Sequence, residues 1–234
     1  MSANDDNYNS NDTECVKCSF SPFCMSYREK TRWNLFNSVV KQRHYLQKQN
    51  VFDLANHTFR SLWVIRRGAL KTYQVGADGD EIIRGFYFSG EILGFEAIYT
   101  NLHLYSAASL SETVICEIPY DNFLDLLRAN PDLQKHSLYL ISKQLNMGSY
   151  LFSIKAEQRL AAFLMDLSNR LYPLGMQFEL LIPMTRRDIG NYLRLTAETI
   201  SRLLSQFKDD KIITIDHKKI QLLQPEKLKF ISEH

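Results

Sequence analysis

The spacing of hydrophobic and polar positions changes character twice along the chain. From Phe52 to Pro119 the apolar residues come in short β-prone runs, and six of the nine glycines fall between Gly68 and Gly94. Leu62–Ile65, Ala69–Val75, Ile82–Tyr87 and Val114–Ile118 are expected to be strands. Ala77-Asp78-Gly79-Asp80 is expected to be a hairpin turn, because Asp-Gly tolerates the positive φ such turns need. Many short strands at close spacing predict a small antiparallel barrel or jelly roll.

Helical periods then take over. Asp121–Leu127 predicts a short amphipathic segment, and Asn130-Pro131 supplies an N-cap residue followed by proline at the first helical position. No proline interrupts the chain from there to about Ile154, so a helix of roughly 24 residues, ~36 Å long, is expected. Leu138, Ile141, Leu145, Gly148 and Phe152 recur at spacings of 3, 4, 3 and 4. That narrow seam on a largely polar helix is the coiled-coil pattern, which points to pairing with a second copy; packing on its own barrel is the plainer alternative. Ala156–Leu171 predicts another helix, with Leu160, Phe163, Leu164, Leu167 and Leu171 on one face. Tyr172-Pro173-Leu174-Gly175 ends it, and Phe178–Ile182 is strand-like, so a domain boundary is placed near Lys155.

The run Thr185–Phe207 is the sharpest segment. Thr185 with Asp188 three residues on resembles a capping box, so a helix starts there. The helix breaks at Leu193–Leu195, and Thr196 caps a second one reaching about Lys208. Two short helices joined by a turn of three or four residues form a helix-turn-helix. Ile200, Leu203, Leu204 and Phe207 are the expected buried face of the second helix, while Glu198, Ser201 and Arg202 stand together on the opposite face in its first two turns. That end of a recognition helix meets base edges; arginine can bind guanine in bidentate fashion and glutamate can accept from cytosine. A merely solvated face is the alternative. Thr185, Arg186, Arg187, Arg194 and Thr196 are candidates for backbone phosphate. Ile212–Ile215, a turn at Asp216-His217, and Ile220–Leu223 add a hairpin, making the motif a winged helix-turn-helix and its partner double-stranded DNA.

Composition adds limits. The chain has 234 residues, 45% hydrophobic and 23% charged, near the globular average, which excludes disordered and collagen-like classes. No apolar stretch approaches ~18 residues, so no membrane span is expected. Met1–Glu14 is acidic, unlike a signal peptide, and a cytoplasmic location is expected. Residues 1–154 hold 15 Lys and Arg against 16 Asp and Glu, and residues 155–234 hold 13 against 10, a mild bias of the C-terminal third toward an anionic partner.

Cys15, Cys18 and Cys24 form C-x2-C-x5-C, and Cys116 is the fourth and last cysteine. In a reducing compartment a disulfide framework is disfavoured. Three thiolates on one loop can converge on a metal centre, and an all-sulfur set suits zinc or an iron–sulfur cluster. The nearest histidine, His44, has no partner at zinc-finger spacing. Taken alone, Cys116 reads as a small buried hydrophobe; with the triplet it becomes a candidate fourth ligand.

With these segments in order, the chain resembles the CRP/FNR superfamily of bacterial transcription regulators, and specifically its oxygen-sensing FNR branch. The cysteine triplet, Ser61-Leu-Trp-Val-Ile-Arg-Arg-Gly68, Gly79-Asp-Glu81, Cys116-Glu-Ile-Pro119, Arg159-Leu-Ala-Ala-Phe163 and Glu198-Thr-Ile-Ser-Arg202 carry the resemblance, which extends from Cys15 to about Leu223. It implies an α+β chain: a cysteine-rich segment (1–30), a β-roll of double-stranded β-helix or jelly-roll type (31–129), a dimerisation helix (130–155) and a winged helix-turn-helix (156–234). It implies an oxygen-labile 4Fe–4S cluster on Cys15, Cys18, Cys24 and Cys116, a homodimer, and RNA polymerase as a partner. By the same resemblance Glu198, Ser201 and Arg202 read a TTGAT-type inverted repeat.

Three departures qualify that expectation. Cyclic-nucleotide-binding relatives follow a Gly-Glu-x-x-Gly stretch with Arg-Ser or Arg-Thr to hold the phosphate; here Gly90–Gly94 is followed by Tyr105-Ser106, so no cyclic nucleotide is expected. Arg194 occupies a turn position where the FNR branch often has glycine. FNR-type proteins are thought to use acidic repulsion on the dimer helix, yet Gln134 to Ala156 contains no Asp or Glu, so the dimer is expected to persist without the cluster, with lysine repulsion and the weak knob at Gly148 as the alternative. A cyclic-nucleotide-responsive regulator with a structural zinc is the second reading. A cupin-type enzyme is the third, but the β region offers only His57 and His103, with no His-x-His pair.

Overall fold

The structure, a computed structural model, describes residues 41–52, 58–153, 155–172 and 179–234. Cys15, Cys18 and Cys24 therefore lie outside the described residues, as do His57, Ile154 and Phe178. The chain divides into two compact units, one of residues 1–76 and 86–147, the other of residues 77–85 and 148–234.

Two four-stranded sheets form, all in the first unit but for residues 81–85, the start of one strand, which belong to the second. One has the order β1 (Lys41–Tyr45), β8 (Thr113–Pro119), β3 (Ser61–Arg67), β6 (Ile92–Leu93); the other has β2 (Asn50–Phe52), β7 (Ser106–Ser109), β4 (Ala69–Val75), β5 (Glu81–Phe88). The four expected strands are present, each matched or extended by one or two residues at either end, and the Ala77–Asp80 turn joins β4 to β5. Strand β3 shows why its sequence is almost continuously apolar. Leu62 and Val64 pack with Ile92, Ile118 and helix residues, while Trp63 and Ile65 pack with Leu70 and Ala107 of the other sheet. Buried on both faces, it has no reason to alternate.

Helices α1 (Tyr120–Ala129) and α2 (Pro131–Asn146) follow β8. Asn130 caps α2 as expected, its side chain accepting from the N–H groups of Asp132 and Leu133 at 3.1 Å. Phe123, Leu133 and Leu140 press the helix pair onto the sheet beside Val64 and Ile118. The expected 24-residue helix is corrected here: α2 ends at Asn146. Gly148 adopts φ 78° and starts a separate 3-10 turn, Ser149–Phe152. A Cβ at Gly148 would stand 3.2 Å from the Tyr192 hydroxyl and 3.3 Å from Leu151 Cδ1. The absence of proline removed one helix breaker but not the other, since glycine takes a left-handed conformation at little cost. Gly148 is buried, and Phe152 is not on the same helix as Leu138, Ile141 and Leu145.

The second unit holds α3 (Ala156–Leu171), β9 (Glu179–Leu181), α4 (Arg186–Leu193), α5 (Ala197–Asp209), the hairpin β10 (Ile213–Asp216) and β11 (Lys219–Leu222), and α6 (Pro225–Glu233). Leu160, Phe163, Leu164 and Leu167 of α3 are buried, as are Ile200, Leu203, Leu204 and Phe207 of α5. The wing sheet runs β10-β11-β9, and the Asp216↔Lys219 pairing puts the turn at His217-Lys218, one residue later than expected. No described helix is long and apolar enough to cross a membrane.

Candidate nucleic-acid interface and the distal cysteine

The helix-turn-helix is built from local chemistry. Thr185 Oγ1 accepts from the Asp188 N–H at 3.1 Å while the Asp188 carboxylate accepts from the Thr185 N–H at 3.0 Å, the reciprocal cap that starts α4. At the far end Arg194 stands at φ 57°, ψ 46°, a left-handed conformation that redirects the chain toward Thr196. Thr196 Oγ1 then accepts from the Thr199 N–H at 3.1 Å and starts α5.

Gly190 is what lets the two helices meet. A Cβ there would stand 2.7 Å from the Leu195 carbonyl oxygen and 3.2 Å from the Ala197 nitrogen. The Leu195 N–H instead donates to the Gly190 carbonyl at 2.8 Å. Arg159, first residue of the Arg-Leu-Ala-Ala-Phe run, reaches across from α3 and its Nη1 donates to the Leu193 carbonyl at 2.9 Å. That satisfies one of the carbonyls a helix end leaves over. Sequence reading singled out the Arg159 run but not this job.

Glu198, Ser201 and Arg202 are all exposed on one face of α5, opposite its buried leucines and Phe207. Ser201 Oγ donates back to the Ala197 carbonyl at 2.9 Å, which fixes its rotamer. Thr185, Arg187, Arg194 and Thr196 are exposed at the ends of the two helices, while Arg186 is half-buried. Burial pulls the Arg186 guanidinium below its usual pKa, yet arginine stays a cation in proteins. The left-handed Arg194 is strained by ~1–2 kcal/mol relative to glycine. Arg194→Gly is therefore expected to stabilise the protein by about 1 kcal/mol in urea unfolding; an unchanged or lower stability would show that Arg194 makes compensating contacts.

Cys116 is the one cysteine among the described residues. It sits on β8, opposite Val64 of β3 and Gln42 of β1. Its half-buried side chain shares the sheet face of Ile118 and packs in the cluster that includes Phe95, Phe123, Leu133 and Leu140. A thiol on an apolar face under α1 and α2 suits a thiolate ligand shielded from water. The chemistry of the four-cysteine set therefore fits an iron–sulfur cluster. Among the described residues no group of three His, Cys, Asp or Glu could hold a metal, as expected when three of the candidate ligands lie outside them.

Across the same unit, the Glu91 carboxylate of the Gly90–Gly94 stretch accepts from the Phe88 N–H at 3.0 Å and faces Lys143 Nζ at 3.7 Å. Along α2, Leu138 and Leu145 are 68% and 82% exposed and Ile141 is half-buried, so the seam is an uncovered apolar stripe in the single chain.

Comparison with known proteins follows the same two-part division. A family described as "Crp-like helix-turn-helix domain" matches residues 158–231, and one described as "Cyclic nucleotide-binding domain" matches residues 42–130. The "Fumarate and nitrate reduction regulatory protein" of Yersinia pestis is 36% identical over 220 residues, covering 92% of this chain and 88% of that protein. The protein of that name from Escherichia coli (strain K12) is 34% identical, covering 94% and 90%. Among solved structures, FixK2 from Bradyrhizobium japonicum superposes with a TM-score of 0.72 at 23% identity, covering 82% of this chain and 97% of that one. That likeness speaks for the fold alone.

Proposed function

The chain belongs to the CRP/FNR family of DNA-binding transcription regulators, and from that premise we propose that it is a cytoplasmic, redox- and oxygen-responsive regulator of genes for anaerobic respiration. Cys15, Cys18, Cys24 and Cys116 would hold one 4Fe–4S cluster, and two copies would pair through Leu138, Ile141 and Leu145 of α2. The relatives' names tie them to fumarate and nitrate reduction. The observation that carries the reading here is the place of Cys116: a half-buried thiol in the cluster that also holds Leu133 and Leu140 of α2. The proposed distal ligand would thus pack against the same apolar core that anchors the helix bearing the uncovered stripe.

When bound, the cluster supplies an oxygen-labile redox centre. The protein's own residues do the rest. Cys116 fixes one ligand to a rigid strand, and the apolar side chains around it limit water. Glu198, Ser201 and Arg202 read base edges of a TTGAT-type half-site. Thr185, Arg186, Arg187, Arg194 and Thr196 hold backbone phosphate, which sets register rather than sequence. An inverted repeat needs two recognition helices about one helical turn apart, so the DNA-bound form is a dimer. RNA polymerase is the partner expected at the promoter.

The cyclic-nucleotide reading with a structural zinc is disfavoured by two observations. Tyr105 stands where that chemistry needs an arginine, and the Glu91 carboxylate is already engaged by Phe88 and Lys143.

Anaerobically purified protein is expected to be brown and to hold about four iron and four sulfide per chain. Cys116→Ser should lose them as completely as Cys18→Ser. Full iron and sulfide in Cys116→Ser would remove it from the ligand set; a colourless protein holding zinc would favour the alternative. The α2 helix carries no acidic residue after Asp132, so no acidic repulsion opposes pairing. The cluster-free Cys116→Ser protein is therefore expected to sediment as a dimer at micromolar concentration, and a clean monomer would contradict that.

A further inference from the structure

The chain passes between its two units at 76/77, 85/86 and 147/148. Every covalent link from the first unit therefore enters the second through one of two segments: the loop and strand start Ala77–Gly85, or the turn that opens at Gly148. Within the second unit, both segments are hydrogen-bonded to helix α4, and by neighbouring residues.

Asn191 holds the first segment. Its Oδ1 accepts from the Ile83 N–H at 2.8 Å and its Nδ2 donates to the Glu81 carbonyl at 2.5 Å. Residues 81 and 83, at the start of β5, present these groups on one side of the strand. A carboxamide carries a donor and an acceptor side by side, so Asn191 pairs with this short stretch of backbone as a neighbouring strand would. Aspartate would lose the donor and an aliphatic residue both bonds.

Tyr192 holds the second segment. Its buried hydroxyl lies 3.3 Å from that of Tyr150, in the 3-10 turn after Gly148, and the two rings meet edge to face at 6.3 Å. Tyr150 also donates to Asp166 Oδ2 at 3.4 Å, and the buried Arg170 donates to the same oxygen at 3.1 Å. Burial, with Tyr192 and Asp166 nearby, raises the Tyr150 pKa, so the phenol keeps its proton.

We infer that Asn191 and Tyr192 are positioning residues for DNA recognition. Through them the placement of α4 follows the two segments that arrive from the first unit. The close approach at Gly190 makes α5 move with α4, so the recognition face is set by the same two residues. This rests on the reading that cluster state governs DNA binding, and it names the residues through which that state reaches the reading helix.

The test compares DNA affinity of anaerobically loaded and cluster-free protein for an inverted-repeat duplex; the ratio of the two measures the coupling. Asn191→Ala and Tyr192→Phe are each expected to lower that ratio about tenfold, with iron and sulfide content and base preference unchanged. Tyr192→Phe keeps the ring against Phe163 and so retains the packing. In Asn191→Ala, hydrogen exchange at the Ile83 amide should quicken, which a loss of stability elsewhere would not do selectively. A wild type with a clear ratio that both variants retain overturns the inference and leaves the cluster reading standing. A wild type with no ratio overturns both.

Discussion

Replacing Gly190 by valine is expected to cost about 3 kcal/mol or more of stability and to abolish sequence-specific DNA binding. The first atom added beyond Cα would lie 2.7 Å from the Leu195 carbonyl oxygen, and backbone cannot swing aside as a side-chain tip can. Relief requires α4 and the Arg194–Thr196 turn to separate, which pulls on the Leu195-to-Gly190 hydrogen bond and on the Arg159 contact to Leu193. Alanine at the same place tests the balance of two effects. Helix propensity favours alanine by about 1 kcal/mol, whereas overpacking costs typically 1–3 kcal/mol, so Gly190→Ala should also destabilise, though less. Chemical denaturation followed by helical circular dichroism measures both. A Gly190→Val protein of wild-type stability would mean that the turn relaxes freely, and the rigid coupling of α4 to α5 would go with it.

Arg202→Ala is expected to cost ~1–3 kcal/mol at one guanine of the half-site and to relax preference there, leaving other positions unchanged. Arg202 is exposed on the face of α5 that carries Glu198 and Ser201, one turn on from the capped start of the helix. Loss of Arg186 or Arg187 should act differently. Each sits in the first turn of α4, where a cation meets phosphate, so all sequences should weaken about equally and the salt slope should flatten by ~0.9 per contact. Affinities measured on a panel of single-base variants at several salt concentrations separate the two behaviours. A uniform loss for Arg202→Ala, with base preference intact, would assign it to the backbone and leave Glu198 and Ser201 as the only readers on this face.

How legible these features were depends on whether their cause is local. The capping box of Thr185 and Asp188, the Asn130 cap with Pro131 and the buried stripe of α5 follow from contacts within a few residues, and the structure has them where the pattern puts them. Strands β3, β4, β5 and β8 were legible because each has seven or eight residues rich in β-prone types. Strand β1, Lys-Gln-Arg-His-Tyr, is polar, β7 is Ser-Ala-Ala-Ser, and β6 has two residues; none has a period to detect, and all are held by pairing with distant strands. The end of α2 at Asn146 depends on Gly148 choosing a left-handed conformation against Tyr192, a partner 44 residues on. Asn191 is an exposed polar residue, and only the fold shows that it meets a strand 108 residues away. The α-helical tail Pro225–Glu233 also went unread, although Pro225 marks its first turn.

On the proposed function, the cluster on Cys15, Cys18, Cys24 and Cys116 governs DNA binding. Titration of anaerobic, cluster-loaded protein onto a labelled TTGAT-type inverted-repeat duplex, repeated on the same sample after exposure to air and with iron and sulfide assayed at each step, tests it most directly. Tight, sequence-specific binding is expected at the start, with at least a roughly tenfold weakening that tracks cluster loss. Equal affinity before and after the iron and sulfide are gone would contradict it.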